Sequence, residues 1–293
     1  MLKELLELFA VPGLTFEQRT GGLLRAVVST SACQGELMLQ GAHITMWEPA
    51  GQQPVLWLSQ ESHFEKGKPI RGGVPICFPW FGPNAKDGTL PAHGFARLVE
   101  WEMVGAHANE DGSIVLRLEA SIDPFAVSFQ VEFGRELKMT LTTQLPANAK
   151  SGHSFEDALH TYLAVSDVRT ISIEGLEKTA YVDKVDQALL KAASGVPIRF
   201  TGETDRVYVG TQAECCLLDE GLGRIIRVAK SGSSSTVVWN PWIDKSKRMA
   251  DFGDDEWPSM VCIETANVGE SRIELSPGES HSTTSIISVE PLV

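Results

Sequence analysis

The sequence predicts an all-β protein, a large antiparallel β-sandwich with few short helices. Three observations predict it. Apolar side chains recur at every second position along several segments, as strands with one face in a core and one in water require. Those segments are short and are separated by Gly- and Pro-containing turns, the spacing of sandwiches and barrels. Only two stretches carry a helical signal, so the regular strand–helix alternation of a parallel α/β fold is missing.

Taken in order, Leu2 to Phe9 reads as a short amphipathic helix stopped by Pro12-Gly13. A strand-like run follows near 35–48. Residues 67–94 contain six Gly and five Pro, but also Ile70, Ile76, Phe78, Trp80 and Phe81. A flexible linker would be polar, so this is read as a packed, irregular loop, the kind that often carries function. Another strand is expected near 98–107. Then Ile114, Leu116 and Leu118 share a face opposite Arg117 and Glu119, and Phe129, Val131 and Phe133 alternate with Gln130 and Glu132. Leu137, Met139 and Leu141 alternate with Lys138, Thr140 and Thr142. Further strands are expected near 158–166, 207–218, 224–229, 235–239, 260–264 and 281–289, with a second helix at Asp186–Ala193. No internal repeat or linker divides the chain, so one domain over residues 1–293 is expected.

The 293 residues carry 25 Lys and Arg against 38 Asp and Glu, a net charge of −13, which argues against a nucleic-acid partner because phosphate backbones need a basic face. Hydrophobic residues at 43% are too many for a disordered chain. No apolar stretch approaches the roughly 18 to 20 residues of a membrane span, and Glu4 and Glu7 interrupt the first apolar segment, unlike a signal peptide. Five cysteines, with no C-x-x-C, make a poor disulfide framework and a poorer zinc site. A cytoplasmic protein is the expectation, with a monomer favoured.

Phosphate-loop, dinucleotide, nucleophile-elbow and H-E-x-x-H motifs are all absent, and no two of the seven His stand at i, i+2 or i, i+4. Three segments hold polar groups in unusual company. In the first, Arg71 and Arg97 flank glycines that would let a small anion approach the backbone; equally, both arginines can pair with carboxylates. His93, between Pro91 and Gly94 with one residue intervening, is either a site residue or a turn residue bonded to backbone. In the second, His160 shares a strand face with Tyr162, opposite Leu159, Thr161 and Leu163. In the third, Glu264 ends the apolar run Met260–Ile263; burial would raise its pKa toward that of a useful general base, whereas an Arg partner would make it structural. Asp183 and Asp205 read as structural. Trp80, Trp239, Trp242 and Trp257 either stack on a sugar or belong to the core.

The segments RGGVPICFPWFGP, LPAHGFAR, ALHTYLAVSD, GLEKTAYVDK, ETDRVYV, VVWNPW followed by Asp251-Phe252, and MVCIETANV occur in that order. Together they resemble the hexose-6-phosphate mutarotases of the aldose 1-epimerase superfamily, from about residue 36 to the C-terminal strands. The resemblance implies a large antiparallel β-sandwich with a concave sugar site. It implies His160 as general acid, able to be protonated near neutral pH, and Glu264 as general base. It implies that Asp205 binds sugar hydroxyls, His93 is a second site histidine, and Arg71 and Arg97 hold the 6-phosphate. Some relatives carry Gln where this chain has Ala92, so one side-chain contact to the phosphate is expected to be missing. The implied reaction interconverts α and β anomers by ring opening, with base and acid on opposite sides of the sugar and neither cofactor nor metal.

Two other readings stand beside it. A non-catalytic carbohydrate-binding sandwich would have no use for an acid–base pair. A metal-dependent jelly-roll isomerase is disfavoured because His and Glu do not cluster as ligands in the sequence.

Overall fold

The computed structural model describes residues 1–19 and 21–292. Two eight-stranded antiparallel sheets dominate it, joined by a four-stranded meander and a two-stranded ribbon. One large sheet, the scaffold sheet, runs Ser172–Glu174, Cys215–Asp219, Arg224–Ser231, Ser280–Pro291, Leu137–Gln144, Phe125–Phe133, Ile114–Ile122 and Glu102–Ala108 in spatial order. The other, the site sheet, runs Leu189–Lys191, Tyr181–Asp183, Thr204–Val209, Ser235–Asn240, Met260–Asn267, Asp157–Leu159 and Ile76–Cys77, with Tyr162–Ala164 also paired to Met260–Asn267.

The scaffold sheet follows the period-two pattern of its sequence. Every odd-numbered residue of Phe125–Phe133 is buried and the intervening ones are exposed or half-buried. Strands of the site sheet differ: all eight residues of Met260–Asn267 and all six of Ser235–Asn240 are buried, because the strand has protein on both faces. On one face the central strand meets the scaffold sheet, where Thr265 bonds Ser285 at 3.1 Å. Val261 and Ile263 there join the same hydrophobic cluster as Phe129, Leu137 and Ile287, which extends to Leu5 and Leu14. Each such side chain contributes about 1.5–3 kcal/mol on burial. The other face of the central strand carries Cys262 and Glu264.

Several elements depart from the sequence expectations. The helix Leu2–Leu8 forms, but the helix expected at Asp186–Ala193 does not. That segment is a hairpin between Tyr181–Asp183 and Leu189–Lys191. Asp183 accepts the turn N–H groups of Val185 and Asp186 and the Lys191 ammonium at 2.9 Å. Gln187 and Ala188 have φ of 53° and 56°, which no right-handed helix contains. The run near 35–48 is two strands, Cys33–Met38 and His43–Pro49, turning at Gly41 and Ala42. The run 207–218 divides likewise into Thr204–Val209 and Cys215–Asp219. Leu14–Gln18 and Leu24–Ser29 are additional strands, the second hidden by the continuous apolar run Ala26-Val27-Val28. The short helix Trp242–Ser246 was also not anticipated. Among the described residues, no helix is long and apolar enough to cross a membrane.

Candidate active site

Strand register alone assembles the centre of the site. Asp205 pairs with Trp239, Trp239 with Cys262, and Cys262 with Tyr162, forming one row across the site sheet. Beside it, Val207 pairs with Val237 and Val237 with Glu264. Leu159 pairs with Thr265 and Tyr162 with Cys262, so His160 falls opposite Glu264 in the second row. Directly opposed residues share a face, and here His160 Nε2 and Glu264 Oε1 stand 3.5 Å apart. Glu264 is therefore in the middle of a strand, not at the end of one as expected.

The strand expected over 158–166 breaks at His160 and Thr161. His160 N–H donates to the Pro75 carbonyl at 3.0 Å, tying it to the Gly- and Pro-rich loop. The His160 ring stacks on Tyr162, with centroids 4.7 Å apart and planes at 7°. Trp239 meets that ring edge-on at 6.0 Å.

These groups border a cavity of about 270 Å³, the size of a small polar ligand. His160, Glu264, Val237, Trp239 and Asp205 come from the site sheet. Arg71, Phe81 and His93 come from the long loop, Lys184 from a turn, Lys245 from the helix Trp242–Ser246 and Met249 from the segment after it. His93 is bonded to backbone and also lines the cavity. Its Nδ1 accepts the Gly82 N–H at 3.3 Å, while its ring stands 5.7 Å from that of His160. Its conformation is left-handed, with φ of 65°.

The arginines divide. Arg71 donates to both Asp251 oxygens, at 3.1 and 3.2 Å, and to the Tyr162 hydroxyl at 2.9 Å. The carboxylate pairing weighed from the sequence thus holds for Arg71, which still lines the cavity. Arg97 has no carboxylate partner among the described residues; it donates to the Ala92 carbonyl at 2.7 Å and stands outside the cavity lining. Buried Nε atoms of both arginines lack partners. The glycines beside Arg71 allow close backbone packing. Gly73 has φ of 61°, and a Cβ there would sit 2.0 Å from the Ile44 carbonyl oxygen.

Burial sets the electrostatics. Glu264 is 1% exposed, and burial together with the charge of Asp205 pushes its carboxyl well above the usual range, with Lys184 pulling partly back. His160 is 7% exposed, and burial plus the charges of His93, Arg71 and Arg97 holds its imidazole well below 6.5. Burial and these charges thus oppose the imidazolium form of His160, against the expectation that it can be protonated near neutral pH. His93 is lowered to about 3 by burial and by Arg97, Arg71 and Lys184. Asp205 is raised, chiefly by burial, although Lys184 and Lys245 oppose the shift.

Of the four tryptophans singled out, only Trp239 borders the cavity. Trp80 is fixed by a 3.1 Å bond to the Pro91 carbonyl, and Trp242 packs on Trp257. Asp183 holds the hairpin described above. Sequence reasoning assigned no role to Lys184, Lys245 or Asp251. Lys184 and Asp251 lay inside the ordered motifs, which was the one available signal; Lys245 had none. The sequence-based statement that His and Glu do not cluster is corrected here. One ligand atom from each of His160, Cys262 and Glu264 lies within 4.8 Å of the others.

Comparison with known proteins agrees with this architecture. The aldose 1-epimerase family profile matches residues 26–288. A protein of Escherichia coli strain K12, named as a glucose-6-phosphate 1-epimerase, is 36% identical over 263 residues, covering 89% of this chain and 88% of the relative. A protein of Cenchrus ciliaris with the same name is 34% identical over 262 residues, covering 84% and 78%. The crystal structure of a Salmonella typhimurium protein described as a mutarotase superposes with a TM-score of 0.87 at 30% identity, covering 96% of this chain and 95% of that one.

Proposed function

The chain belongs to the aldose 1-epimerase family, and on that premise we propose that it interconverts the α and β anomers of a hexose 6-phosphate, glucose 6-phosphate first among them, with Glu264 and His160 as its acid–base pair. The observation that carries the assignment is their position: facing residues on adjacent strands, 3.5 Å apart, at one cavity. The two oxygens that must exchange protons, the anomeric hydroxyl and the ring oxygen, are bonded to the same carbon. A base and an acid that are close neighbours can therefore serve both.

In the forward direction the Glu264 carboxylate removes the proton from the anomeric hydroxyl. The ring oxygen takes a proton from His160 as the bond between it and C1 breaks, leaving an open-chain aldehyde. Rotation about C1–C2 presents the other face of the carbonyl, and the same two groups, with roles exchanged, close the ring. No atom is gained or lost, and the proton count is restored. Such groups typically contribute about 10²- to 10⁴-fold in rate.

Arg71 and Arg97 supply the positive charge for the 6-phosphate. A phosphate dianion at Arg71 competes with Asp251 for the guanidinium. It also offsets the positive potential that opposes a proton on His160, so phosphate binding favours the form of the pair needed for catalysis. Asp205, tethered 3.7 Å from Lys245, serves sugar hydroxyls, and Trp239 offers an apolar face to the ring. A carbohydrate-binding protein without turnover would not need to bury a facing Glu–His pair, which is costly to desolvate.

The test is anomer exchange, followed by NMR across a panel of hexoses with and without the 6-phosphate. Selective acceleration of the phosphorylated sugars, lost in Glu264→Gln, is expected. Equal rates with and without the phosphate would overturn the substrate assignment.

A further inference from the structure

Cys262 is an ionisable group in the centre of the site that the proposed reaction leaves unused. It is fully buried, two residues before Glu264 on the same face of the central strand, and directly opposite Tyr162 in the neighbouring row. Its thiol, a His160 ring nitrogen and a Glu264 oxygen all lie within 4.8 Å of one another. Two of these side chains also hold buried polar atoms without a hydrogen-bond partner, Glu264 Oε2 and His160 Nδ1. A soft sulfur, an imidazole nitrogen and a carboxylate oxygen, the last two from residues that line the cavity, are the donor types of open three-ligand zinc sites.

The geometry points to an inhibitory zinc(II) site made by His160, Cys262 and Glu264 and entered through the sugar cavity. Zinc ligands at about 2.0–2.3 Å from the ion lie roughly 3.5 Å from one another. The His160–Glu264 contact already has that spacing. From within 4.8 Å, the thiol has to approach by about 1.3 Å at most on the same geometry. Binding replaces the thiol proton and any proton shared by Glu264 and His160, which are released to solvent. The thiolate and carboxylate then supply two negative charges to a dication, a neutral assembly suited to a buried floor. Asp205 adds favourable potential, while Arg71 and Lys184 at the same cavity oppose the ion, so its affinity is expected to fall below that of a structural zinc site.

Occupancy of the site stands on the geometry alone. That occupancy stops turnover rests on the acid–base assignment made above, because the ion takes the lone pairs both groups use.

The full chain, treated with EDTA and dialysed, is titrated with cobalt(II) as a spectroscopic probe and with zinc(II) in the anomer-exchange assay. One equivalent of cobalt is expected to give a near-ultraviolet thiolate-to-cobalt charge-transfer band. Zinc is expected to abolish exchange of glucose 6-phosphate, EDTA to restore it, and saturating sugar phosphate to protect. Cys262→Ala should keep exchange within about threefold, lose the charge-transfer band, and need at least about tenfold more zinc for half inhibition, the tenfold being about 1.4 kcal/mol of lost metal binding. Cys262→Ser serves the same purpose if the alanine variant folds poorly. A wild-type protein without the thiolate band, or zinc sensitivity unchanged in the Cys262 variants, would overturn the site. A band at one equivalent with undiminished exchange would keep the metal site and overturn the acid–base assignment instead.

Discussion

In the scaffold sheet, Phe125–Phe133 and Leu137–Gln144 alternate buried and accessible residues along their length. In the site sheet, Ser235–Asn240 and Met260–Asn267 are buried throughout, and a Glu, a Cys and two Asn sit among their aliphatic residues. The buried faces of those two scaffold strands are built, Thr143 apart, of side chains that need only be apolar and of the right size. The site sheet places polar atoms where water cannot reach them, and several, including Glu264 Oε2 and His160 Nδ1, go without partners. Unpaired buried polar groups cost stability. Among the described residues the alternating strands hold one such atom, the neutral hydroxyl Thr143 Oγ1, whereas the site sheet holds a carboxylate oxygen and an imidazole nitrogen, and that difference in kind separates the part of the molecule that carries chemistry from the part that carries the fold.

The largest expected effect lies in the site sheet. Glu264→Gln keeps the shape of the side chain and removes the base, so kcat for anomer exchange should fall by about 10²- to 10⁴-fold. Binding of glucose 6-phosphate, measured by calorimetry, should stay within a few-fold, and the melting temperature should not drop, since a buried carboxyl becomes a neutral amide. His160→Asn should behave alike, and the double variant should lose little more than either single one, because the two act as a unit. A variant retaining more than about a tenth of wild-type kcat would remove Glu264 from the role.

The scaffold sheet should respond in the opposite way. Phe129 is fully buried beneath Trp101, with ring centroids 6.4 Å apart. Phe129→Ala should cost about 3–5 kcal/mol of stability, read from denaturant unfolding, while kcat per folded molecule at 25 °C stays near wild type. A large loss of kcat without loss of stability would show that the two sheets are not separable in this sense.

The same contrast explains what the sequence could and could not reveal. Alternation made Ile114–Ile122, Phe125–Phe133 and Leu137–Gln144 visible, because a half-exposed strand writes its two faces into its residues. The site sheet writes no such pattern. Its strands are short, broken at His160 and Thr161, or buried on both faces, and the hairpin at Asp186 looked helical because nothing local announced the positive φ of Gln187 and Ala188. His160 and Glu264 were singled out from the ordered motifs, but their facing register was not legible. It depends on two strands about a hundred residues apart finding one alignment. The same holds for Cys262, which became part of a cluster only through that register, and for Asp251, whose pairing with Arg71 closes a span of 180 residues.

A smaller effect should separate binding from chemistry within the site. Arg71 makes charge-assisted contacts to Asp251 and Tyr162, and although burial opposes its charge, those two partners hold its pKa above the ordinary value. Arg71→Ala should raise KM for glucose 6-phosphate by about 10- to 100-fold, the range for a lost hydrogen bond to a charged group. The effect on free glucose should be much smaller. Arg97→Ala, which lies outside the cavity lining, should follow in the same direction by less. Equal losses on both sugars would make these arginines structural.

The smallest effect tests the edge of the site sheet, where a polar tie does what alternation does elsewhere. Asp183 closes the hairpin that carries Lys184, accepting N–H bonds from Val185 and Asp186 and the Lys191 ammonium. Burial pushes its carboxyl up, but Lys191 and the two backbone donors pull it further down, so its pKa in the folded protein lies below the ordinary value. An acid whose folded pKa is depressed contributes stability that is complete above its unfolded pKa of about 3.9. That contribution is lost as pH falls through the folded pKa. Asp183→Asn should therefore lower stability at pH 7 by up to about 1 kcal/mol, the range for a pair that solvent partly screens. The gap between variant and wild type should narrow as pH drops below about 3.9 and close once the folded carboxyl is protonated. Hydrogen exchange at Val185 and Asp186 should quicken in the variant at pH 7, while amides of Phe125–Phe133 stay protected. A stability gap that is the same at pH 7 and well below pH 3.9 would mean that the Asp183 charge does not hold this edge.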